Sequence, residues 1–301
     1  MEQKNLLKHL RVSITTECNK KCWYCFSEGI HEKKEKMSDI HSFGWLMGVL
    51  KESFDTVNVR FTGGEPLLNE NLVQFVKETK KNGINNIGVT TNGIYLSEKF
   101  ETLCEAGVNN FAIHITDIDD EKWDIQEFEN CILKQNNIRY NVVVTKSNYE
   151  RVIELLNIAY NQKINLLLLD LLESDYTTKK AYHLEYIDLN ILEKTLQLFN
   201  YHKYIQNKNS IVFYNENNTV KLVKRYVDRG GERYCTKELD MHPVLLSSDF
   251  NFRLCNHFGT KEIHTCELIE RRNKKQLIEK INQVLWELKA CEECTHKLIL
   301  S

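Results

Sequence analysis

The sequence predicts an α/β fold: a parallel sheet assembled from strand–helix units in series, followed by a smaller segment of hairpins and one helix. Three features of the 301-residue chain carry this expectation. Apolar segments of strand length alternate with amphipathic segments of helix length from residue 10 to about residue 172. After residue 210 the alternation gives way to short strand pairs around turn residues. Only two prolines, Pro66 and Pro243, and twelve glycines are present, too few for long disordered linkers.

Taken in order, residues 11–15 (RVSIT) read as a first strand. Residues 39–53 read as a helix, with Ser38 or Asp39 as N-cap. A strand follows at 56–62, then a helix at 69–81 stopped by Asn82-Gly83. Next come a strand at 86–91, a helix at 97–105 ended near Gly107, and a strand at 110–115. Residues 124–134 are expected to be helical, 139–145 a strand, 149–161 a helix and 164–171 a strand. That makes about six β/α units, which build a barrel, partial or full, or an open doubly wound sheet. In each of these, ligands bind at the carboxyl ends of the strands. Residues 184–201 read as a further helix. Beyond it, 211–214 with 220–223 and 244–247 with 252–255 carry hairpin signals, and 270–288 is a charged amphipathic helix.

Composition excludes several classes of function. The formal net charge of −2 supplies no global field for nucleic acid or an anionic membrane. No apolar run approaches the roughly 18 residues of a membrane span, and residues 1–10 hold no apolar core of a signal peptide. A cytoplasmic, reducing location is therefore expected, and ten cysteines there call for a metal or a cluster.

The segment Thr15-Thr16-Glu17-Cys18-Asn19-Lys20-Lys21-Cys22-Trp23-Tyr24-Cys25-Phe26 directly follows the first strand, with spacing C-x3-C-x2-C. Three thiolates on one short loop suit three irons of a [4Fe–4S] cube, leaving the fourth iron open for a small molecule. Aromatic neighbours would shield such a cluster. A structural zinc site wants four ligands, and among nearby residues only His31 offers itself as the fourth.

Two more segments stand at strand ends: Phe61-Thr62-Gly63-Gly64-Glu65-Pro66-Leu67-Leu68 and Thr90-Thr91-Asn92-Gly93-Ile94. Together with the cysteine loop and Leu10-Arg11-Val12-Ser13-Ile14-Thr15, they resemble the radical SAM superfamily. Within it they resemble the MoaA-like group, which includes the molybdenum-cofactor enzyme that cyclises GTP. The resemblance covers about residues 8–172. It implies a partial (β/α)6 TIM-type barrel over residues 1–205 and S-adenosylmethionine (SAM) chelating the open iron. Gly63 and Gly64 would let the backbone approach that ligand, Glu65 would accept its ammonium group, and Pro66 would fix the turn. Thr91 and Asn92 match a strand end used by many members. Thr116 and Asn141 point to SAM contacts by position alone, and a polar group satisfied by its neighbours is the equal alternative. His114, in an apolar strand, reads as a packed core histidine.

Five cysteines fall in the last third. Cys235, Cys255, Cys291 and Cys294 are placed around a hairpin and a helix in a way that resembles the Twitch appendage, the short form of the SPASM domain. The resemblance implies an auxiliary [4Fe–4S] cluster in residues 206–301, and the spacing also permits a zinc knuckle with four cysteine ligands. Cys266 is then left over. It would be an inert thiol, a ligand in place of Cys255, or a hydrogen-atom donor to a substrate radical.

The expected function is that of a radical SAM enzyme cleaving SAM and abstracting hydrogen from a small polar metabolite, an amino sugar or nucleoside-like molecule, with oxidation or epimerisation as outcome. The alternatives are a peptide-modifying radical enzyme and an iron–sulfur electron carrier without SAM chemistry. The resemblance also implies an electron donor such as flavodoxin or ferredoxin, and no nucleic acid or membrane partner is expected.

Overall fold

The computed structural model describes residues 7–25, 35–115, 137–171, 179–207, 210–224, 226–229, 232–235, 244–253 and 262–290. In chain order its elements begin with β1 (His9–Ser13), α1 (Ile40–Phe54), β2 (Asn58–Thr62), a 3₁₀ turn (Pro66–Leu68), α2 (Leu72–Lys81), β3 (Asn86–Thr91), α3 (Leu96–Ala106) and β4 (Asn110–Ile115). There follow β5 (Asn137–Val144), α4 (Tyr149–Gln162), β6 (Asn165–Asp170), α5 (Lys179–Glu185), α6 (Ile191–Leu198), β7 (His202–Asn207), β8 (Ser210–Tyr214) and β9 (Thr219–Val223). Last come β10 (Tyr226–Arg229), β11 (Glu232–Cys235), β12 (Val244–Leu246), β13 (Phe252–Arg253), β14 (Glu262–Ile263), α7 (Cys266–Glu270) and α8 (Lys274–Ala290). The expected helix at 124–134 lies outside the described residues.

The chain forms two compact units, one of Met1–Lys20, Ser27–Phe111 and Glu238–Glu292, the other of Lys21–Phe26, Ala112–Lys237 and Glu293–Ser301. In the first, strands run in the order β14-β13-β12-β1-β2-β3, with β4 next. β1, β2 and β3 are parallel neighbours, as strand–helix alternation requires. Asp39 caps α1 by accepting from the Ser42 amide at 2.9 Å, as expected. Helix α2 starts at Leu72 rather than at Asn69. The Asn69 side chain instead donates to the carbonyls of Ile14 (2.9 Å) and Met37 (3.0 Å) and accepts from the Asn71 amide (2.9 Å). Phe43 packs edge-on against Phe75, ring centroids 5.0 Å apart, closing the core between α1 and α2.

The second unit has the order β4-β5-β6-β9-β8-β7. β5, β6 and β9 are parallel, and β9, β8 and β7 continue as an antiparallel meander. Each unit's strand order thus ends on an antiparallel edge, β14 in one and β7 in the other. The α/β fold built on parallel strands is as expected, and the strand order does not close into a ring, as for the partial barrel that the resemblance implies. The single helix expected at 184–201 is instead the end of α5 and the separate helix α6. Asp188 restarts the chain as α6, its carboxylate accepting from the Asn190 amide (2.9 Å) and its carbonyl from Ile191 (3.2 Å).

Both hairpins read from the sequence form, and each also joins the parallel sheet. β9 lies alongside β6, with Leu166 opposite Val220, and β12 alongside β1, with Leu10 opposite Val244. Val244, Leu245 and Leu246 are all buried, the unbroken apolar run of a strand covered on both faces. The division 1–205 and 206–301 therefore crosses three strand pairings, β1 with β12, β6 with β9 and β7 with β8.

Candidate cofactor site

In the first unit, the chain leaves β1 and runs under the turn after β2. The Gly64 amide donates to the Thr15 carbonyl and the Glu65 amide to the Glu17 carbonyl, each at 2.7 Å. The two glycines answer to this contact. A Cβ on Gly63, whose φ is +132°, would stand 2.2 Å from the Thr15 carbonyl oxygen. One on Gly64 would stand 2.1 Å from the Glu17 carbonyl oxygen. The backbone of this turn thus comes close to the entry of the cysteine loop.

Glu65 is 1% exposed. Its Oε1 accepts from the Thr91 hydroxyl (2.8 Å) and the Leu67 amide (3.0 Å), and its Oε2 from the Asn92 amide (2.7 Å). Burial raises its pKa, and these donors and the Lys99 charge oppose the rise. An ionised carboxylate accepts about four hydrogen bonds, so one acceptor position on Oε2 is left. Thr91 is buried, and its hydroxyl also accepts from the Gly93 amide at 3.1 Å. The Asn92 carboxamide donates to Asn19 Oδ1 at 2.7 Å and lies 3.9 Å from Cys18 Sγ. The Lys20 amide reaches the same sulfur at 3.4 Å. Pro66 is buried at the first position of the 3₁₀ turn.

The rest of the cysteine loop belongs to the second unit. The Cys25 amide donates to the Cys22 carbonyl at 3.0 Å, closing a tight turn. Tyr24, between them, packs with Val143, Leu171 and the fully buried Tyr182, against which half-buried Cys22 and Leu169 also lie. The Tyr24 hydroxyl stands 3.5 Å from His114 Nε2, so His114 is a half-buried partner of the loop and not a sealed core residue. Asn141, also in this unit, is buried, and its Oδ1 accepts from Arg139 Nε at 3.2 Å.

Cys18 and Cys25 are exposed and Cys22 is half-buried. Among the described residues, no three His, Cys, Asp or Glu side chains are gathered closely enough to hold a metal ion. What fits an iron–sulfur group is the donor chemistry. Cys18 and Cys25 present exposed sulfurs, and the Lys20 amide and the Asn92 carboxamide stand as N–H donors at Cys18 Sγ. Cys235 ends β11, while Thr116, Cys255, Cys291 and Cys294 lie outside the described residues. Cys266 opens α7, with its thiol 3.4 Å from Glu270 Oε1. Burial, then Glu270, push its pKa up to about 11. Asn19 and Lys99, the latter donating to the Leu67 carbonyl at 2.6 Å, carried no sequence signal. Their role depends on which loops meet.

Residues 12–173 match the family model of the Radical SAM superfamily. The chain belongs to the radical SAM superfamily. A [4Fe–4S] cluster and SAM are the cofactors of this family. Among sequence relatives, a GTP 3′,8-cyclase of Clostridium perfringens is 29% identical over 55% of this chain and 56% of its own length. Molybdenum cofactor biosynthesis protein 1 of Dictyostelium discoideum is 26% identical over 94% of this chain and 47% of its own. The chain spans about half the length of these relatives. Among solved structures, Streptococcus suis SuiB bound to S-adenosylmethionine has a TM-score of 0.63 at 16% identity, covering 91% of this chain and 67% of SuiB. Native anSMEcpe with bound AdoMet has a TM-score of 0.57 at 17% identity, covering 91% and 83%. At these identities the radical SAM fold is what is shared. No helix among the described residues is long and apolar enough to cross a membrane.

Proposed function

We propose that this radical SAM enzyme acts on a small polar metabolite, amino sugar or nucleoside-like, with oxidation or epimerisation as the outcome. Cys18, Cys22 and Cys25 would hold the SAM cluster. Gly63, Gly64, Glu65, Pro66, Thr91, Asn92, Thr116 and Asn141 would form or support the SAM contacts. When bound, the cluster and SAM supply reductive cleavage to a 5′-deoxyadenosyl radical, which takes a hydrogen atom from the substrate.

The observation that carries the cofactor assignment is the Glu65 carboxylate, which ties the turn after β2 to the turn after β3 within one hydrogen-bonded set. Its remaining acceptor position suits an ammonium group. Asn92, held by Glu65 through its backbone, turns its carboxamide toward Cys18 and so orients a cysteine ligand from outside the cysteine loop. Tyr24 and its apolar neighbours keep water from the Cys22 side of the loop.

In the tail 206–301, Cys235, Cys255, Cys291 and Cys294 would hold an auxiliary cluster of Twitch/SPASM type. Cys266 would be a hydrogen-atom donor. A thiol with its pKa near 11 keeps its proton at neutral pH, which suits that role. A reductant such as flavodoxin or ferredoxin and a cytoplasmic setting would serve both clusters. The sequence relatives favour a second reading, cyclisation of a nucleoside triphosphate. A third reading is modification of a peptide: one structural neighbour, SuiB, is also known bound to precursor peptide SuiA.

The test is anaerobic reconstitution with iron analysis, Mössbauer spectra and 5′-deoxyadenosine assay, beside a Cys18→Ala, Cys22→Ala, Cys25→Ala variant. About eight irons falling to about four, with 5′-deoxyadenosine formation lost, is expected for two clusters. Iron unchanged in the variant would end the assignment of these ligands. Conversion of GTP by the parent would favour the second reading.

A further inference from the structure

The turn after β2 is gripped from the β3 side at two places, all within the first unit. One is the Glu65 carboxylate, which accepts from the Thr91 hydroxyl and the Asn92 amide in the turn after β3. The other lies in the first turn of α3, the helix that follows. There Lys99 Nζ donates to the Leu67 carbonyl at 2.6 Å. Leu67 takes part in both, because its amide donates to Glu65 Oε1 at 3.0 Å.

The 3₁₀ turn explains why a lysine is used here. It closes two bonds of its own, from the Leu68 amide to the Glu65 carbonyl (3.0 Å) and from the Asn69 amide to the Pro66 carbonyl (3.1 Å). The next carbonyl is that of Leu67, where the turn ends. Carbonyls at a helix end need partners from elsewhere, and Pro66 and Leu67 are buried. Lys99 is half-buried and brings an ammonium N–H to this carbonyl, a charge-assisted bond stronger than a neutral one. Its charge counts at Glu65 too. Burial raises the pKa of that carboxyl, and after the Asn92, Thr91 and Leu67 donors the Lys99 charge opposes the rise.

We infer that Lys99 is a positioning residue for SAM, fixing the Leu67 peptide and through it the direction in which Glu65 faces the cofactor's ammonium group. The inference rests on the proposal that Glu65 accepts that ammonium, and it deepens the proposal by naming what holds the acceptor still. The role asks for no contact between Lys99 and SAM. Without the Lys99 ammonium a buried carbonyl loses its donor, and the end of the turn moves to find another. The Leu67 amide moves with it, and Glu65 Oε1 loses one of its two donors. The remaining acceptor position on Oε2 is then no longer held at one angle. Lys99→Met keeps the length and the apolar stem and removes only the charge and its donors. Lys99→Arg keeps both.

The experiment titrates the reduced, anaerobically reconstituted holoenzyme with SAM and follows the electron paramagnetic resonance spectrum of the cluster. Parent, Lys99→Met and Lys99→Arg are compared, with iron content and the spectrum before SAM recorded for each. The spectrum before SAM should be the same in all three. The apparent Kd for SAM should rise about five- to tenfold in Lys99→Met, as for loss of one charge-assisted hydrogen bond, and stay near the parental value in Lys99→Arg. Lys99→Gln, a neutral donor, should fall between, and it replaces Lys99→Met if that variant does not fold. Thermal melts with and without Glu65→Gln test the route through Glu65: Lys99→Met should lower the midpoint less when residue 65 is already Gln. A parental Kd in folded Lys99→Met, or melts in which the two changes simply add, overturns the inference and leaves the SAM assignment standing. A parent whose spectrum does not respond to SAM at all overturns the SAM assignment itself, and the role of Lys99 with it.

Discussion

Glu65 shows how a single carboxylate is made indispensable. Nearly dry, it meets three donors from two turns, and its charge is the reason that all three can point at it. Glu65→Gln keeps the volume but turns an amide NH₂ toward an N–H or O–H donor. An unsatisfied buried pair of this kind costs about 1–3 kcal/mol, to be read as a lower thermal midpoint. The pH dependence has a definite sign. Because burial raises the folded-state pKa of Glu65 above its unfolded value, its contribution to stability is fully present below the unfolded pKa. That contribution is lost as pH rises through the folded pKa. The stability gap between parent and Glu65→Gln should therefore narrow as pH rises through and just above the ordinary glutamate range. A gap that widens would show that Glu65 is instead stabilised in its ionised form. Glu65 could be picked out from sequence, but only as a ligand-binding group. Its donors Thr91 and Asn92 belong to another strand end, and no spacing in the chain reports that they meet it.

The turn after β2 is built against the segment that enters the cysteine loop, and its glycines are where that contact is tightest. Gly64→Ala tests the contact by bulk, since its Cβ would meet the Glu17 carbonyl at 2.1 Å. The turn must then withdraw and lose the amide bonds of Gly64 and Glu65 to Thr15 and Glu17. A loss of about 2–4 kcal/mol is expected, with lower iron uptake on reconstitution. A variant of parental stability would mean that the turn is free to move. Most of the elements here were legible: α1 with its Asp39 cap, α3 ending at Gly107, and β3 and β4 at their full lengths. The failures have local causes. Asn69 spends its side chain on Ile14 and Met37 and so delays α2. Asp188 breaks a stretch that otherwise reads as one helix.

The C-terminal strands and helices complete the first unit. β12 covers the edge of β1, and α7 and α8 bury Ile269, Leu277, Ile281 and Leu285. Arg272 stands over the Trp45 ring at 5.5 Å, and Lys274 pairs with Glu52 at 2.6 Å. Cutting the chain after residue 237 would expose β1 and remove, among other buried apolar side chains, the seven of Val244, Leu245, Leu246 and the four just named. At about 1.5–3 kcal/mol each, the loss is on the order of 10 kcal/mol, comparable with the whole stability of a domain. The truncated chain is expected to be insoluble or to melt without cooperativity. A soluble, cooperatively folding product would show that these strands are an independent appendage.

Spacing along the chain was enough to read the cysteine loop, the two strand-end turns, the order of strands and helices and the α/β class, because each is carried by residues close together in sequence. Partners distant in sequence were beyond its reach. That β12 closes on β1, that Gly63 and Gly64 each face a carbonyl of their own chain and that Glu65 is held by three donors all depend on which strands lie side by side. Periodicity reports which face of an element is apolar. The neighbour that covers that face is chosen by burial over the whole sheet.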